Sequence, residues 1–176
     1  MVGVLYDRPS LVGAGVVVAA AATTFLPWNA VHAKIFMGDV GSYGLGGVIG
    51  GLATYAVLCG VPIEAVVAPL AVHLADTGWT LARRVATGQP WHHAHRTHVY
   101  QRLTDLGSSH LRVALTVVAL GAAVSMVCVL GTRGSALARS TWDALAVALL
   151  IGYLTAPRWL ALFVRGRTLE REESYV

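Results

Sequence analysis

The sequence predicts an all-α, polytopic helical membrane protein of about five transmembrane helices, with a histidine-containing loop between the third and fourth. Three observations predict it: 56% of the residues are apolar, only 12% are charged, and the charges fall between apolar runs long enough to cross a bilayer. Ordinary soluble domains carry roughly 25% charged residues, and the mean hydropathy of +0.63 is correspondingly high. A net charge of +4 raises the question of nucleic acid, but the basic residues form no stripe interleaved with aromatics, so no nucleic-acid partner is expected. Cys59 and Cys128 both lie in apolar runs without disulfide or zinc spacing and read as small core residues.

The first span is Leu11 to Leu26, sixteen residues without a charge, closed by Pro27-Trp28. About 18 residues of helix at 1.5 Å each nearly cross a hydrocarbon core. A cleavable signal is disfavoured because Asp7 and Arg8 cancel and leave no positive leading segment. Next comes a short polar stretch, Lys34-Ile35-Phe36-Met37-Gly38-Asp39-Val40-Gly41-Ser42, wedged between two apolar segments. A charge beside hydrocarbon is costly unless it is used, and Gly38 and Gly41 let the backbone bend, so Asp39 is expected on a tight turn where it can meet a metal or a phosphate.

Tyr43 to Gly60 is the second span, and its Gly46/Gly50 and Gly47/Gly51 pairs have the four-residue spacing of close helix contacts. Pro62 opens the third, which runs to about Arg84 with Pro69 inside and Glu64 in its first turn, where a helix dipole favours an anion. His73, Asp76, Thr80 and Arg83 stand at offsets 0, 3, 7 and 10 and share one face of it. Asp76 lies roughly 12 Å along the axis from the arginine end, within reach of an interfacial cavity. Residues 84–110 form the loop, Val113 to Leu130 and Leu145 to Val164 the last two spans, and 165–176 a polar tail, all within one membrane domain over 1–176.

Lysine and arginine set the orientation. Lys34, Arg83, Arg84, Arg96, Arg102, Arg112, Arg158, Arg165, Arg167 and Arg171 fall on one side, against Arg8, Arg133 and Arg139 on the other. The positive-inside rule then places the Asp39 stretch and the long loop in the cytoplasm. In that loop, His92, His93, His95 and His98 fall within seven residues, beside Arg96 and Arg102. The options are a transition-metal site, an anion-binding loop, proton shuttling, or a solvated interfacial loop. Histidine interleaved with arginine suits phosphate best, since no second ligand cluster accompanies it.

Pro27-Trp28-Asn29 followed by Ala33-Lys34-Ile35-Phe36-Met37-Gly38-Asp39-Val40-Gly41-Ser42 resembles the signature of the polyprenyl-phosphate N-acetylhexosamine-1-phosphate transferases, glycosyltransferase family 4. Ala75-Asp76-Thr77, Arg83-Arg84, and His95-Arg96-Thr97-His98-Val99-Tyr100-Gln101-Arg102-Leu103 are similar to that family's second half and its histidine loop. The resemblance implies a bacterial plasma-membrane enzyme that transfers N-acetylhexosamine-1-phosphate from a UDP-sugar to polyprenyl phosphate, releasing UMP, with Mg²⁺. It implies Asp39 as metal ligand and catalytic residue, Asp76, His95 and His98 as catalytic, and Lys34, Gly38, Ser42, Arg96 and Arg102 as substrate-binding.

The chain departs from that pattern. Several relatives end the loop in adjacent histidines, where Tyr100-Gln101 stands here. The family has about twice this length, no paired aspartates occur here, and Asn29 is the one asparagine. The resemblance therefore covers the family's C-terminal half, and a missing N-terminal half in trans, or a homodimer, is the expected partner. The alternatives are a non-catalytic scaffold that binds polyprenyl phosphate and, more distantly, a histidine-loop metal carrier.

Overall fold

The computed structural model describes residues 2–29, 34–89 and 97–173, the side chains as far as 162. Every regular element among them is helical. They are α1 (Val2–Leu5), α2 (Pro9–Phe25), α3 (Gly38–Leu58), α4 (Ile63–Val67), α5 (Ala71–Ala86), α6 (Val99–Asp105), α7 (His110–Gly131) and α8 (Ala136–Glu173). Five segments are long and apolar enough to cross a membrane: Pro9–Trp28, Gly38–Leu58, Ile63–Ala86, His110–Gly131 and Ala136–Leu162. The residues group into two units, Met1–Val67 and Ala68–Val176.

In the first unit, Pro9 occupies the first turn of α2, where its missing N–H costs nothing, and a tight turn at Leu26–Trp28 ends the span. α3 begins five residues before the expected second span, so the polar stretch is not a turn between helices. Its Gly38-Asp39-Val40-Gly41-Ser42 is the first turn and a half of α3 itself. Gly38 takes the left-handed conformation, φ 66°, and makes the bend immediately ahead of the helix. Gly41 serves a different purpose from the bend expected of it, because the Met37 side chain lies over the space a Cβ would need. At the far end, the Arg8 guanidinium donates a 2.6 Å hydrogen bond to the Cys59 carbonyl, placing a cation on the C-terminal cap of α3.

The second unit is built on the α7–α8 hairpin. Its core is small and aliphatic: Ala68, Val124, Cys128 and Ala146 are buried together, with Leu120, Leu149 and Leu150 packed around them. A second cluster joins Val72 of α5, Val99 of α6 and Tyr153 of α8. Pro69 breaks the helical path at Ala68–Leu70, and α5 resumes at Ala71. The expected loop contains a helix, α6, while its residues 90–96 lie outside the described residues. The last helix starts earlier than expected and continues as helix through Glu173, across most of the polar tail.

The α7–α8 turn is close-packed: a Cβ on Gly131 would lie 3.0 Å from Trp142 Cβ, whereas one on Gly121 would meet nothing nearer than the Pro69 carbonyl at 3.8 Å. Gly131→Leu is expected to lower the thermal midpoint in detergent by at least about 3 °C, through overpacking, and Gly121→Ala to leave it unchanged. A thermal-shift series on the two variants checks this.

Candidate functional site

Asp39 stands in the first turn of α3, exposed, with the helix dipole favouring its negative charge. Ser42, one turn on, donates its hydroxyl hydrogen to the Gly38 carbonyl at 2.9 Å, which secures the bend. Lys34 is exposed, and its backbone N–H donates to the Trp28 carbonyl at 2.9 Å, tying the two sides of 30–33 together. The structure thus brings Lys34, Gly38, Asp39 and Ser42 onto one short stretch. Among the described residues no hydrogen bond engages the Asp39 carboxylate, which leaves its oxygens open to an ion.

The second unit holds the other aspartate in an opposite state. Asp76 is 3% exposed. The Val99 N–H donates to both of its oxygens, at 3.0 Å to Oδ1 and 3.1 Å to Oδ2. The Tyr153 hydroxyl donates to Oδ2 at 3.1 Å, and the Thr80 hydroxyl to Oδ1 at 3.3 Å. His98 Nδ1 lies 3.3 Å from Oδ1. A carboxylate so placed acts as a cap supplied from a distance: Val99 is the first residue of α6, and its amide has no partner within that helix. One side chain of α5 therefore fixes α6 and α8 together.

His98 is the residue ahead of α6, in extended conformation, and its own N–H donates to Gln101 Oε1 at 3.2 Å. Its ring stacks on Tyr100, with centroids 5.6 Å apart and planes 17° from parallel. Its Nδ1 is turned to Asp76, so the carboxylate orients the imidazole. The expected seam on α5 is confirmed for Asp76 and Thr80, but it is Arg84, not Arg83, that is buried. Arg83 instead lines a narrow cleft with Trp79, Thr80, Thr97, Val99 and Arg102. Two guanidiniums sharing one cleft beside the start of α6 suit an anion.

On another side, His73, Asp76, Thr77, His98, Tyr100, His110 and Tyr153 open onto a cavity of about 540 Å³ whose remaining wall is Val113, Ala114, Val117 and Val118 of α7. His95 and Arg96, with His92 and His93, lie outside the described residues. Among the described residues no group of three or more histidine, cysteine or acidic side chains could hold a metal ion. Sequence reasoning missed Tyr153 and His110. A phenol inside the apolar run of α8 was the available signal, since a buried hydroxyl needs a partner.

Removing the Asp76 acceptor orphans the Val99 amide, which costs about 1–3 kcal/mol for a buried donor. Asp76→Ala is expected to speed amide exchange at Val99 by at least about tenfold, and Tyr153→Phe, which leaves the amide its acceptor, by less. Hydrogen exchange followed by mass spectrometry of the 97–106 segment checks the order.

Residues 1–57 match the family model described as glycosyl transferase family 4. The chain is 34% identical over 145 residues to the decaprenyl-phosphate N-acetylglucosaminephosphotransferase of Mycobacterium tuberculosis (strain H37Rv), covering 70% of this chain and 35% of that protein. It is 35% identical over 108 residues to a probable undecaprenyl-phosphate N-acetylglucosaminyl 1-phosphate transferase of Bacillus subtilis (strain 168), covering 60% of this chain and 30% of that one. Over 81 residues it is 43% identical to the phospho-N-acetylmuramoyl-pentapeptide-transferase of Mycobacteroides abscessus, with 43% and 22% covered. The chain spans about a third or less of the length of these relatives. No solved structure matches it.

Proposed function

Because the chain belongs to glycosyl transferase family 4, we propose that it forms the C-terminal part of an enzyme that moves N-acetylhexosamine-1-phosphate from a UDP-sugar to a membrane polyprenyl phosphate. The remainder of the site comes from an N-terminal half such as the longer relatives carry, in cis or in trans, or from a second copy of the chain. The observation that carries the reading is Asp39: it lies inside the matched segment, and its carboxylate is exposed at the start of a membrane-length helix. Five membrane-length helices suit a lipid acceptor. The ten-to-three division of basic residues supports a bacterial plasma-membrane setting, with Asp39 and the histidine loop facing the cytoplasm, where nucleotide sugars are found.

In the proposed reaction an oxygen of the lipid phosphate bonds to the β-phosphorus of the UDP-sugar. The bond from that phosphorus to the bridging oxygen breaks, and UMP leaves with the bridging oxygen. Such transfers need positioned charge more than covalent help. Arg102 and Arg83, with Arg96 on the same loop, offer cations to phosphate oxygens in the second unit, and Lys34 offers one beside Asp39 in the first. His98 is oriented through Nδ1 by Asp76 and contributes its imidazole to proton transfer, and His95 lies on the same loop. Gly38 and Ser42 set the bend that exposes Asp39.

The Asp39 carboxylate fits Mg²⁺, which is commonly held by one or two carboxylates with phosphate oxygens and water completing its shell. When bound there, the ion would neutralise the diphosphate charge. A non-catalytic role as a scaffold that binds polyprenyl phosphate is the second reading, favoured by the limited span of the chain along its relatives.

A chimera separates the two. This chain, replacing the matching segment of the Bacillus subtilis relative, is expected to release UMP from a UDP-N-acetylhexosamine when polyprenyl phosphate and Mg²⁺ are supplied, while the chain alone in detergent releases none. Asp39→Asn in the chimera is expected to reduce the rate by at least about a hundredfold with the protein still in the membrane. UMP release surviving that change would remove Asp39 from the metal role, and an inert but well-expressed chimera would leave the scaffold reading in its place.

A further inference from the structure

The donors around the Asp76 carboxylate act unequally. The Val99 N–H stands 3.0 Å from Oδ1 and 3.1 Å from Oδ2, nearly midway between the two oxygens. A donor so centred pulls on both alike and barely opposes rotation about the Cβ–Cγ bond, a torsion that is broad and two-fold by nature. The plane of the carboxylate is set instead by donors that favour one oxygen. On Oδ1 these are the Thr80 hydroxyl and His98 Nδ1, both at 3.3 Å. On Oδ2 the corresponding donor, among the described residues, is the Tyr153 hydroxyl at 3.1 Å. Thr80 stands one turn along the same helix as Asp76, whereas Tyr153 reaches the carboxylate from α8, 77 residues away. Tyr153 is itself fixed: it is 6% exposed and packed with Val72 and Val99.

The orientation of that plane reaches His98. Both carboxylate oxygens accept the Val99 N–H, so the hydrogen shared between Oδ1 and Nδ1 belongs to the ring. The stacked Tyr100 ring holds the imidazole plane, and Oδ1 decides which ring nitrogen carries the hydrogen. We propose that Tyr153 is a positioning residue: by anchoring Oδ2 from α8 it keeps Oδ1 turned to His98 and holds the imidazole in its Nδ1–H tautomer. Its action on the ring passes through Asp76 and is a property of the chain as it stands. Its consequence for catalysis rests on the transferase reading, in which the His98 imidazole takes part in proton transfer.

The test labels the histidine rings of the full chain with nitrogen-15 and reads their tautomers by NMR in detergent micelles at about pH 9, above the ordinary histidine range. The His98 signal is the one lost in His98→Gln. In the parent it is expected to show hydrogen on Nδ1; hydrogen on Nε2, or on both nitrogens, would overturn the proposal without any variant at Tyr153. Tyr153→Phe keeps an aromatic ring in the core and removes the hydroxyl. It is expected to lower the ratio of Nδ1–H to Nε2–H at least about threefold, the effect of one lost hydrogen bond. Thr80→Val removes a hydroxyl from the other oxygen, leaves Oδ2 anchored, and is expected to change the ratio by less than about half as much. An unchanged ratio in Tyr153→Phe, or an equal change in both variants, would overturn the proposal. In the chimera, Tyr153→Phe is expected to lower kcat at least about threefold with KM for the UDP-sugar within about twofold, as a wrong tautomer does. A shifted tautomer with unchanged kcat would overturn the part of Tyr153 in transfer. An inactive chimera with the tautomer shift intact would remove the transferase reading alone.

Discussion

The carboxylate of Asp76 is the interaction on which the second unit depends. A carboxyl group at 3% exposure is tolerated only when its oxygens are satisfied, because a buried polar group left without hydrogen bonds is costly. Here the donors come from three elements: Thr80 of α5 itself, Val99 and His98 at the start of α6, and Tyr153 of α8. The apolar contacts follow the same lines, with Val72, Val99 and Tyr153 buried side by side. Desolvation and hydrogen bonding are therefore solved together. The carboxylate fixes where α6 begins, and the three apolar residues exclude the water that would compete for it.

This arrangement also sets the depth of the histidine segment. Val99 packs with Val72, near the beginning of α5, and its amide donates to Asp76, ten residues before the end of that helix. The segment that follows residue 96 therefore folds back along α5 by more than two turns. His110, at the start of α7, opens onto the same cavity as His73 and His98. Trp79, Leu81 and Val85 of α5 remain exposed, beside the buried Thr80 and Arg84.

Much of this was legible in the sequence, for identifiable reasons. Hydrocarbon-length runs were found because bilayer thickness fixes their length, and all five fall where the hydropathy places them. The α5 seam was found because offsets of three and four define a helix face. Helix starts were less legible. α3 begins at Gly38 because a left-handed glycine can end the preceding segment while Asp39 suits a positive helix end, and a hydropathy reading places the polar residues outside the span. α6 was read as loop since its seven residues carry little apolar periodicity; its N-terminus is capped from α5, across 23 residues, by an acceptor that local pattern cannot reveal. Tyr153 meets Asp76 across 77 residues for the same reason.

The two aspartates shared by the motif reading now differ physically, and the difference bears on what each can do. A metal ion needs oxygen lone pairs that are not already committed, and Asp39 has them: it is exposed, on the first turn of a helix, with its neighbour Ser42 bonded back to Gly38 and not to the carboxylate. Asp76 could take an ion only by giving up donors it already satisfies, among them the α6 amide and the Tyr153 hydroxyl, each of which would then be left buried without that acceptor. Asp76 is therefore placed to orient His98 and the start of α6, and in the proposed function the ion-binding role is assigned to Asp39.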